Sequence, residues 1–257
     1  MRLDLALVER GLARSRTQAQ SLIADDMVSV GGHVVRKPGA DVADTAVIDV
    51  AGAANPYVSR GGLKLAAALD HFTIDVTGLL CLDVGASTGG FTDCLLQRGA
   101  KHVVAVDVGH GQMTPTLAVD PRVTSREGIN ARTLTVADFN DAPSPFQGEA
   151  WGEVLFDIIV ADLSFISVTL VLPALVNLAV DGGQFVLLVK PQFEVGPSGI
   201  GKGGLVKDSR LRQEALERVK GSAEGIGLTV KGSITSPITG GDGNEEFLLW
   251  LSKETDS

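Results

Sequence analysis

The chain has 257 residues, 44% of them hydrophobic, with 31 acidic and 22 basic side chains and a formal net charge of -9. That apolar content suffices for a packed core and excludes wholesale disorder, and no apolar run reaches the roughly 18–20 residues that cross a bilayer. The charge is uneven: up to Lys64 the chain is nearly neutral and arginine-clustered, whereas the remainder is strongly acidic, so local contact with a phosphate backbone stays open.

Met1-Arg2-Leu3-Asp4 places an acid where a secretory signal would be apolar, so a cytoplasmic protein is expected. Leu3, Leu5, Ala6, Leu7, Val8 and Leu12 give one apolar face and predict a helix over 2–12, closing near Gly11. Arg14-Ser15-Arg16 leads into a second helix through Gln18, Ala19, Leu22 and Ile23. Residues 27–30 alternate as a strand, Gly31-Gly32 makes a turn into His33-Val34-Val35, and 45–50 reads as a closing strand. Residues 1–55 are therefore expected to form a small α+β domain. The breaker-rich stretch 51–56 is its linker to a second domain over 57–253.

From Leu79 onward, apolar strands alternate with helical stretches: 79–84, 102–106, 156–161, 184–189, 228–234 and 246–251. Long connections between the first five predict an α/β fold with a mostly parallel, doubly wound sheet. Only a short segment with the glycine-rich turn Gly240-Gly241-Asp242-Gly243 separates the last two, so the final strand should run antiparallel. The apolar run 164–180, interrupted by Pro173 and Asn177, reads as a core helix, and 143–153 as a surface loop insertion.

Leu82-Asp83-Val84-Gly85-Ala86-Ser87-Thr88-Gly89-Gly90-Phe91 is a strand entering a glycine turn and then a helix. Glycine there lets a ligand approach the backbone closely. Ser87 stands where a dinucleotide motif needs its central glycine. Gly-x-Ser-x-Gly-Gly, with Asp107 ending the next strand to accept ribose hydroxyls, instead suits S-adenosylmethionine, which has no phosphate to cradle. Asp83, Gly85, Ser87, Gly89, Gly90, Phe91, Asp107 and Asp162 are the candidate cofactor-binding residues.

Open α/β sheets do their chemistry beyond the carboxyl ends of the strands. Asp162 and Lys190 end two strands there, Glu246 opens the antiparallel last strand on that edge, and Lys64 lies on the helix before the first strand. Methylating a ribose hydroxyl calls for proton removal. A lysine serves as base if burial and a neighbouring cation depress its pKa, a part assigned to Lys190 with Asp162 positioning it. Other acceptors predict other motifs. Exocyclic-amine methylation uses an acid or amide, two prolines and an aromatic, but Leu163-Ser164 replaces the prolines between Asp162 and Phe165. Pyrimidine-carbon methylation needs a nucleophilic cysteine, and neither Cys81 nor Cys94 follows a suitable strand.

On these residues the chain resembles the TlyA family, whose members carry the names hemolysin and ribosomal RNA 2'-O-methyltransferase. The front, with Arg2-Leu3-Asp4, Arg14-Ser15-Arg16-Thr17-Gln18-Ala19 and Val28-Ser29-Val30-Gly31-Gly32, is similar to an S4-type RNA-binding domain. The remainder is similar to FtsJ-like enzymes with a Lys-Asp-Lys-Glu tetrad. That tetrad matches Lys64 in Ser59-Arg60-Gly61-Gly62-Leu63-Lys64, Asp162 in Asp-Leu-Ser-Phe-Ile-Ser, Lys190 in Lys-Pro-Gln-Phe-Glu, and Glu246 in Gly243-Asn244-Glu245-Glu246-Phe247. Glu245 offers the same group one residue earlier, but the spacing to Phe247 favours Glu246. The resemblance implies a Rossmann-like class I methyltransferase domain with a seven-stranded sheet, and cytidine ribose in ribosomal RNA as substrate.

Arg14, Arg16, Arg36, Lys37 and Arg60 are the candidate RNA contacts. The glycine-rich segment 196–204, near Lys202 and Lys207, is read as a mobile lid over RNA. His33, His71, His102 and His110 share no ligand spacing, so no metal is expected. Cys81 and Cys94 read as buried small hydrophobes, Trp151 and Trp250 as packing residues. Two rivals remain: a membrane-active hemolysin, which needs an apolar or basic amphipathic helix, and a non-catalytic RNA-binding assembly factor.

Overall fold

Two helices and three short strands make up the front of the chain, as the alternation of apolar residues predicts. The computed structural model describes residues 1–13, 15–50, 55–139 and 155–254, and divides into units of residues 1–59 and 60–257. Arg14, residues 51–54 of the linker, Trp151 and the insertion 143–153 lie outside the described residues.

In the first unit, α1 (Leu3–Glu9) and α2 (Arg16–Ala24) bury Leu3, Ala6, Leu7, Ala19, Leu22 and Ile23 against the sheet residues Val28 and Ile48. Ser15 caps α2, its hydroxyl accepting the Gln18 N–H at 3.2 Å and satisfying one of the four orphan donors of a helix start. β1 (Val28–Val30) pairs antiparallel with β2 (His33–Val34) and with β3 (Ile48–Val50). Between β1 and β2, Gly31 and Gly32 both take positive φ, 58° and 81°, the backbone that a two-residue hairpin demands.

Asp4 lies completely buried in this unit. Its carboxylate accepts hydrogen bonds from Arg2 (3.0 and 3.0 Å), Arg16 (2.8 Å) and Gln20 (3.0 Å). These donors, Arg2 first, hold its pKa well below the usual carboxylate range.

The second unit opens with α3 (Gly61–Phe72), β4 (Leu80–Val84), α4 (Gly90–Gln97), β5 (His102–Asp107), α5 (Pro115–Ala118) and β6 (Val123–Glu127). It continues with β7 (Phe156–Ala161), α6 (Leu172–Val176), β8 (Ala179–Val189), α7 (Pro191–Glu194), α8 (Ser209–Glu224), β9 (Leu228–Thr235) and β10 (Phe247–Lys253). The strands form one seven-stranded sheet in the order β6-β5-β4-β7-β8-β10-β9. Ladders from β6 to β8 are parallel, and β10 runs antiparallel to both neighbours. This is the expected Rossmann-like α/β architecture. Its central strands are apolar throughout because both faces are covered: every residue of β4 is buried.

The structure corrects three readings. β6 was not anticipated, because Val-Thr-Ser-Arg-Glu is an edge strand, half-exposed and polar. The run 164–180 is not one helix: a 3-10 turn at Val168–Leu170 precedes the five-residue α6, which has Pro173 in its first turn. β8 begins earlier than expected, at Ala179. No described helix is long and apolar enough to cross a membrane, and no described His, Cys, Asp and Glu residues group as metal ligands.

Because the folded-state pKa of Asp4 is depressed, its stabilising contribution is present above the ordinary carboxylate range and is lost as pH falls through the folded value. Asp4→Asn is expected to lower the melting temperature at about pH 7, with the gap from wild type beginning to close only as pH falls below about 4. A gap that persists undiminished in acid would mean that ionisation of Asp4 is not what holds the arginines.

Candidate active site and RNA-binding residues

Strand register puts the candidate residues in a row. Val84 of β4 is level with Val106 of β5 and with Ala161 of β7, so Gly85 and Asp162 stand one residue beyond their strands and Asp107 is the last residue of its own, all on the same edge. Ala161 is level with Leu187 of β8, and Val189 with Phe247 of β10. Continuing that antiparallel ladder by one step sets Glu246 across from Lys190. The chain leaves β4 toward β5 on one side and returns to β7 on the other, the switch point where open α/β sheets bind ligands.

Two ion pairs stand on this edge. Lys190 Nζ lies 2.7 Å from Asp162 Oδ1 and donates to Ser164 Oγ at 2.9 Å. The contact with Asp162 is an ion pair rather than an aligned hydrogen bond. Lys64 Nζ lies 2.5 Å from Glu246 Oε2, with the two residues 7% and 2% exposed. Lys64 occupies the inward face of α3 among Leu65, Ala68 and Leu69, where an unpaired ammonium is prohibitively costly. Glu246 is its neutralising partner. Glu245 instead pairs with Arg212 at 3.0 Å, so adjacent acids serve different cations. Gly240 packs directly on Glu246: a Cβ there would come within 2.5 Å of Oε1.

Beside Asp162, a cavity of about 470 Å³ opens at the ends of β4 to β7, lined by Gly85, Ser87, Asp107, Asn130, Asp162 and Phe165 among others. Gly85, at φ 82°, is pressed against its wall, since a Cβ would lie 2.6 Å from the Asp162 carbonyl oxygen. Asp107 accepts the backbone N–H of Ser87 at 2.8 Å and of Gly109 at 2.7 Å, which fixes its carboxylate at the cavity edge. A glycine cradle, an anchored carboxylate and an apolar rim at Val108 and Ile129 match a nucleoside that carries hydroxyls and no phosphate.

The predicted cofactor residues thus separate into two groups. Gly85, Ser87, Asp107 and Asp162 line the cavity, whereas Asp83, Gly89, Gly90 and Phe91 do not. Asp83 is fully buried under the turn, its Oδ2 accepting the Thr92 N–H at 2.9 Å and hydroxyl at 2.7 Å. It caps α4 from the neighbouring strand. Its Oδ1 has no hydrogen-bond partner among the described residues. Burial, opposed by the Thr92 hydrogen bonds and reinforced by Asp162, pushes the carboxyl up to about 7. Gly89 takes φ 95° at the start of α4, where a Cβ would strike Leu117 at 2.4 Å, and Phe91 is core.

Sequence reasoning missed Ser164, Asn130 and Gln112 as site residues. Only Ser164 carried a signal, its place two residues after Asp162. Phe165 was seen only as a motif element, yet it is 92% exposed with φ 63°, an unusual backbone for a bulky residue. Its ring centroid lies 5.2 Å from that of Phe193.

The RNA candidates are differently placed. Arg16 is half-exposed and held by Asp4, together with Arg2, which was not anticipated. Arg36 forms a two-point exposed pair with Asp26 at 2.6 and 2.8 Å, and Lys37 is exposed. Arg60 donates to the Thr239 carbonyl at 2.8 Å, pinning the segment ahead of Gly240. The expected lid is tied down at its far end: Asn244, 2% exposed, donates to the Gly204 carbonyl and accepts the Val206 N–H, both at 2.9 Å. Trp250 packs on Phe72, ring centroids 5.3 Å apart, and donates to Gln184. Cys81 and Cys94 are buried thiols that form no disulfide, and burial raises the pKa of Cys81.

Residues 57–253 match the FtsJ-like methyltransferase model and residues 1–48 the S4 domain model. The 16S/23S rRNA (cytidine-2'-O)-methyltransferase TlyA of Mycobacterium tuberculosis is 47% identical over 99% of this chain and 91% of its own length. Hemolysin A of Brachyspira hyodysenteriae is 40% identical over 96% of this chain and 98% of its own. A solved structure from Streptococcus thermophilus superposes with a TM-score of 0.76 at 44% identity, covering 100% of this chain and 89% of the other.

Two substitutions probe the turn. Gly85→Ala forces its Cβ into the Asp162 carbonyl and is expected to weaken S-adenosylmethionine binding by about tenfold or more, read by calorimetry. Asp83 has a raised folded pKa, so its contribution to stability is full below about pH 4 and is lost as pH rises through about 7. Relative to wild type, Asp83→Asn should therefore gain melting temperature between about pH 5 and about pH 8.5. A pH-independent difference would show that Asp83 does not titrate in that window.

Proposed function

The chain belongs to the FtsJ-like methyltransferase family, and from that premise we propose that it methylates a ribose 2'-hydroxyl of cytidine in ribosomal RNA, with S-adenosylmethionine as donor. The observation that carries this reading is the pairing of Lys190 with Asp162 at the cavity mouth, beside the pairing of Lys64 with Glu246. When bound, S-adenosylmethionine supplies an electrophilic methyl group on a sulfonium. Gly85 and Ser87 would hold it against the turn, and Asp107 would accept its ribose hydroxyls.

Lys190 would take the 2'-hydroxyl proton as the methyl group leaves sulfur for the ribose oxygen, the sulfur departing as a neutral thioether. A base needs a free lone pair, which the Lys190 amine has only once its own ammonium proton has left. Asp162 and Ser164 aim its Nζ and balance charge as the proton arrives. Lys64, anchored by Glu246, adds a fixed cation beside a hydroxyl that becomes negative, a stabilisation that works best where water is excluded.

The first unit supplies RNA affinity through Arg2 and Arg16, with Arg14, Arg36 and Lys37 as further phosphate contacts. Planar guanidinium groups suit phosphate oxygens and carry no base specificity. A non-catalytic binding role would leave two lysine–carboxylate pairs on the strand-end edge of the sheet without a task.

Lys190→Ala is expected to reduce methyl transfer to separated ribosomal subunits by about a thousandfold, with the dissociation constant for RNA changed by less than about twofold. The measurement uses tritiated donor with filter binding in parallel. Equal loss of binding and transfer would remove Lys190 from the proton-transfer role.

A further inference from the structure

The Lys-Pro-Gln-Phe-Glu and Asp-Leu-Ser-Phe-Ile-Ser segments each end in a residue that the reaction above leaves unused, Glu194 and Ser167. The two meet. Glu194, 5% exposed, closes the short helix that begins just after Lys190. Its Oε2 accepts the Ser167 hydroxyl at 2.6 Å and its Oε1 accepts the Val168 N–H at 2.8 Å. Arg218 of α8 donates to the Glu194 carbonyl at 2.5 Å and braces the helix from behind.

These bonds join the segment after Lys190 to the segment after Asp162. The bridged loop, residues 162–168, carries both partners of the lysine, Asp162 and Ser164. It also supplies Leu163, Ser164, Phe165 and Ile166 to the cavity wall. The loop has no regular hydrogen-bond ladder until the 3-10 turn that Ser167 caps. With its hydroxyl committed to Glu194, Ser167 accepts from Thr169, through the backbone N–H at 3.2 Å and the hydroxyl at 2.7 Å. The carboxylate therefore sets the direction of the hydroxyl–hydroxyl hydrogen bond between Thr169 and Ser167.

Burying a carboxylate is costly, and its pKa is raised by that burial. Such a group is retained where it fixes geometry. We propose that Glu194 is a positioning residue for methyl transfer: it clamps the 162–168 loop so that Asp162 and Ser164 hold the Lys190 amine in line with the ribose hydroxyl. It touches neither donor nor RNA. This inference rests on the role given to Lys190 above, and the experiment separates the two.

Glu194→Ala and Glu194→Gln would be compared in the full chain by hydrogen exchange, melting temperature and single-turnover kinetics. The amide oxygen of Gln still accepts the Val168 N–H, and Ser167 can turn its hydroxyl toward Thr169. Gln is therefore expected to keep the rate within about threefold of wild type. Ala should speed exchange at Val168 and across 163–168 while β7 stays protected. It should lower kcat by about 10- to 100-fold, with the KM for RNA within about twofold.

Should Glu194→Ala fail to fold, Ser167→Ala removes a single donor from the same clamp and is expected to lower kcat in the same direction by about threefold. Unchanged exchange over 163–168 in the Ala variant would overturn the clamp. Faster exchange with unaltered kcat would overturn its role in positioning, as would parallel loss of melting temperature and rate that Gln does not restore. A wild-type chain inactive on every ribosomal RNA would sink the methyl-transfer reading instead, while the exchange data would still decide whether Glu194 holds the loop.

Discussion

Burying the Lys64 ammonium in the apolar face of α3 is the constraint on which the site turns. A charge so placed requires a carboxylate at contact distance, and Glu246 provides it at 2.5 Å. Glu246 reaches that position only because β10 runs against the rest of the sheet, which brings the start of the strand, rather than its end, to the edge where β4, β5, β7 and β8 finish. Strand direction and ion pair are thus one requirement. Turning β10 parallel would carry Glu246 to the far edge and strand Lys64 without a counter-charge.

The acids at this edge divide by their surroundings. Asp83 lies inside the protein and is pushed toward its neutral form. Asp107 and Asp162 stand at the cavity, held by backbone N–H groups and by a lysine respectively. Three carboxylates near one glycine turn therefore serve three ends: stapling a helix to a strand, presenting an acceptor at the cavity, and aiming an amine. Glu194 adds a fourth, tying two loops that would otherwise be independent.

Much of this was legible before any coordinates. Asp162 and Lys190 were visible because a charged residue at the end of an apolar strand of a parallel sheet must emerge at the ligand-binding edge. Glu246 followed from the short turn that forces the last strand antiparallel. The misses also have physical causes. β6 is half-wet, so its alternation is blurred by Thr124, Ser125 and Arg126. Asp83 reads like a ligand residue in a motif, but only packing shows that its carboxylate points down to Thr92 rather than out to the cavity. Arg60 resembles any exposed cation, and its carbonyl partner lies 179 residues away. Clamps such as Glu194 to Ser167 are long-range hydrogen bonds, and periodicity has no means of registering them.

The arginine cluster around Asp4 has a consequence for a chain of net charge -9. In physiological salt the Debye length is about 8 Å, so diffuse repulsion between the acidic body and a polyanion fades within a few solvent layers. What counts is charge at touching range, where Arg2 and Arg16 outnumber the single carboxylate between them. Both guanidinium groups are already immobilised by that carboxylate, so the phosphate contacts proposed for them would cost little rotamer entropy. An acidic protein can in this way carry a stiff cationic fork whose grip varies with ionic strength far more than its bulk charge would suggest.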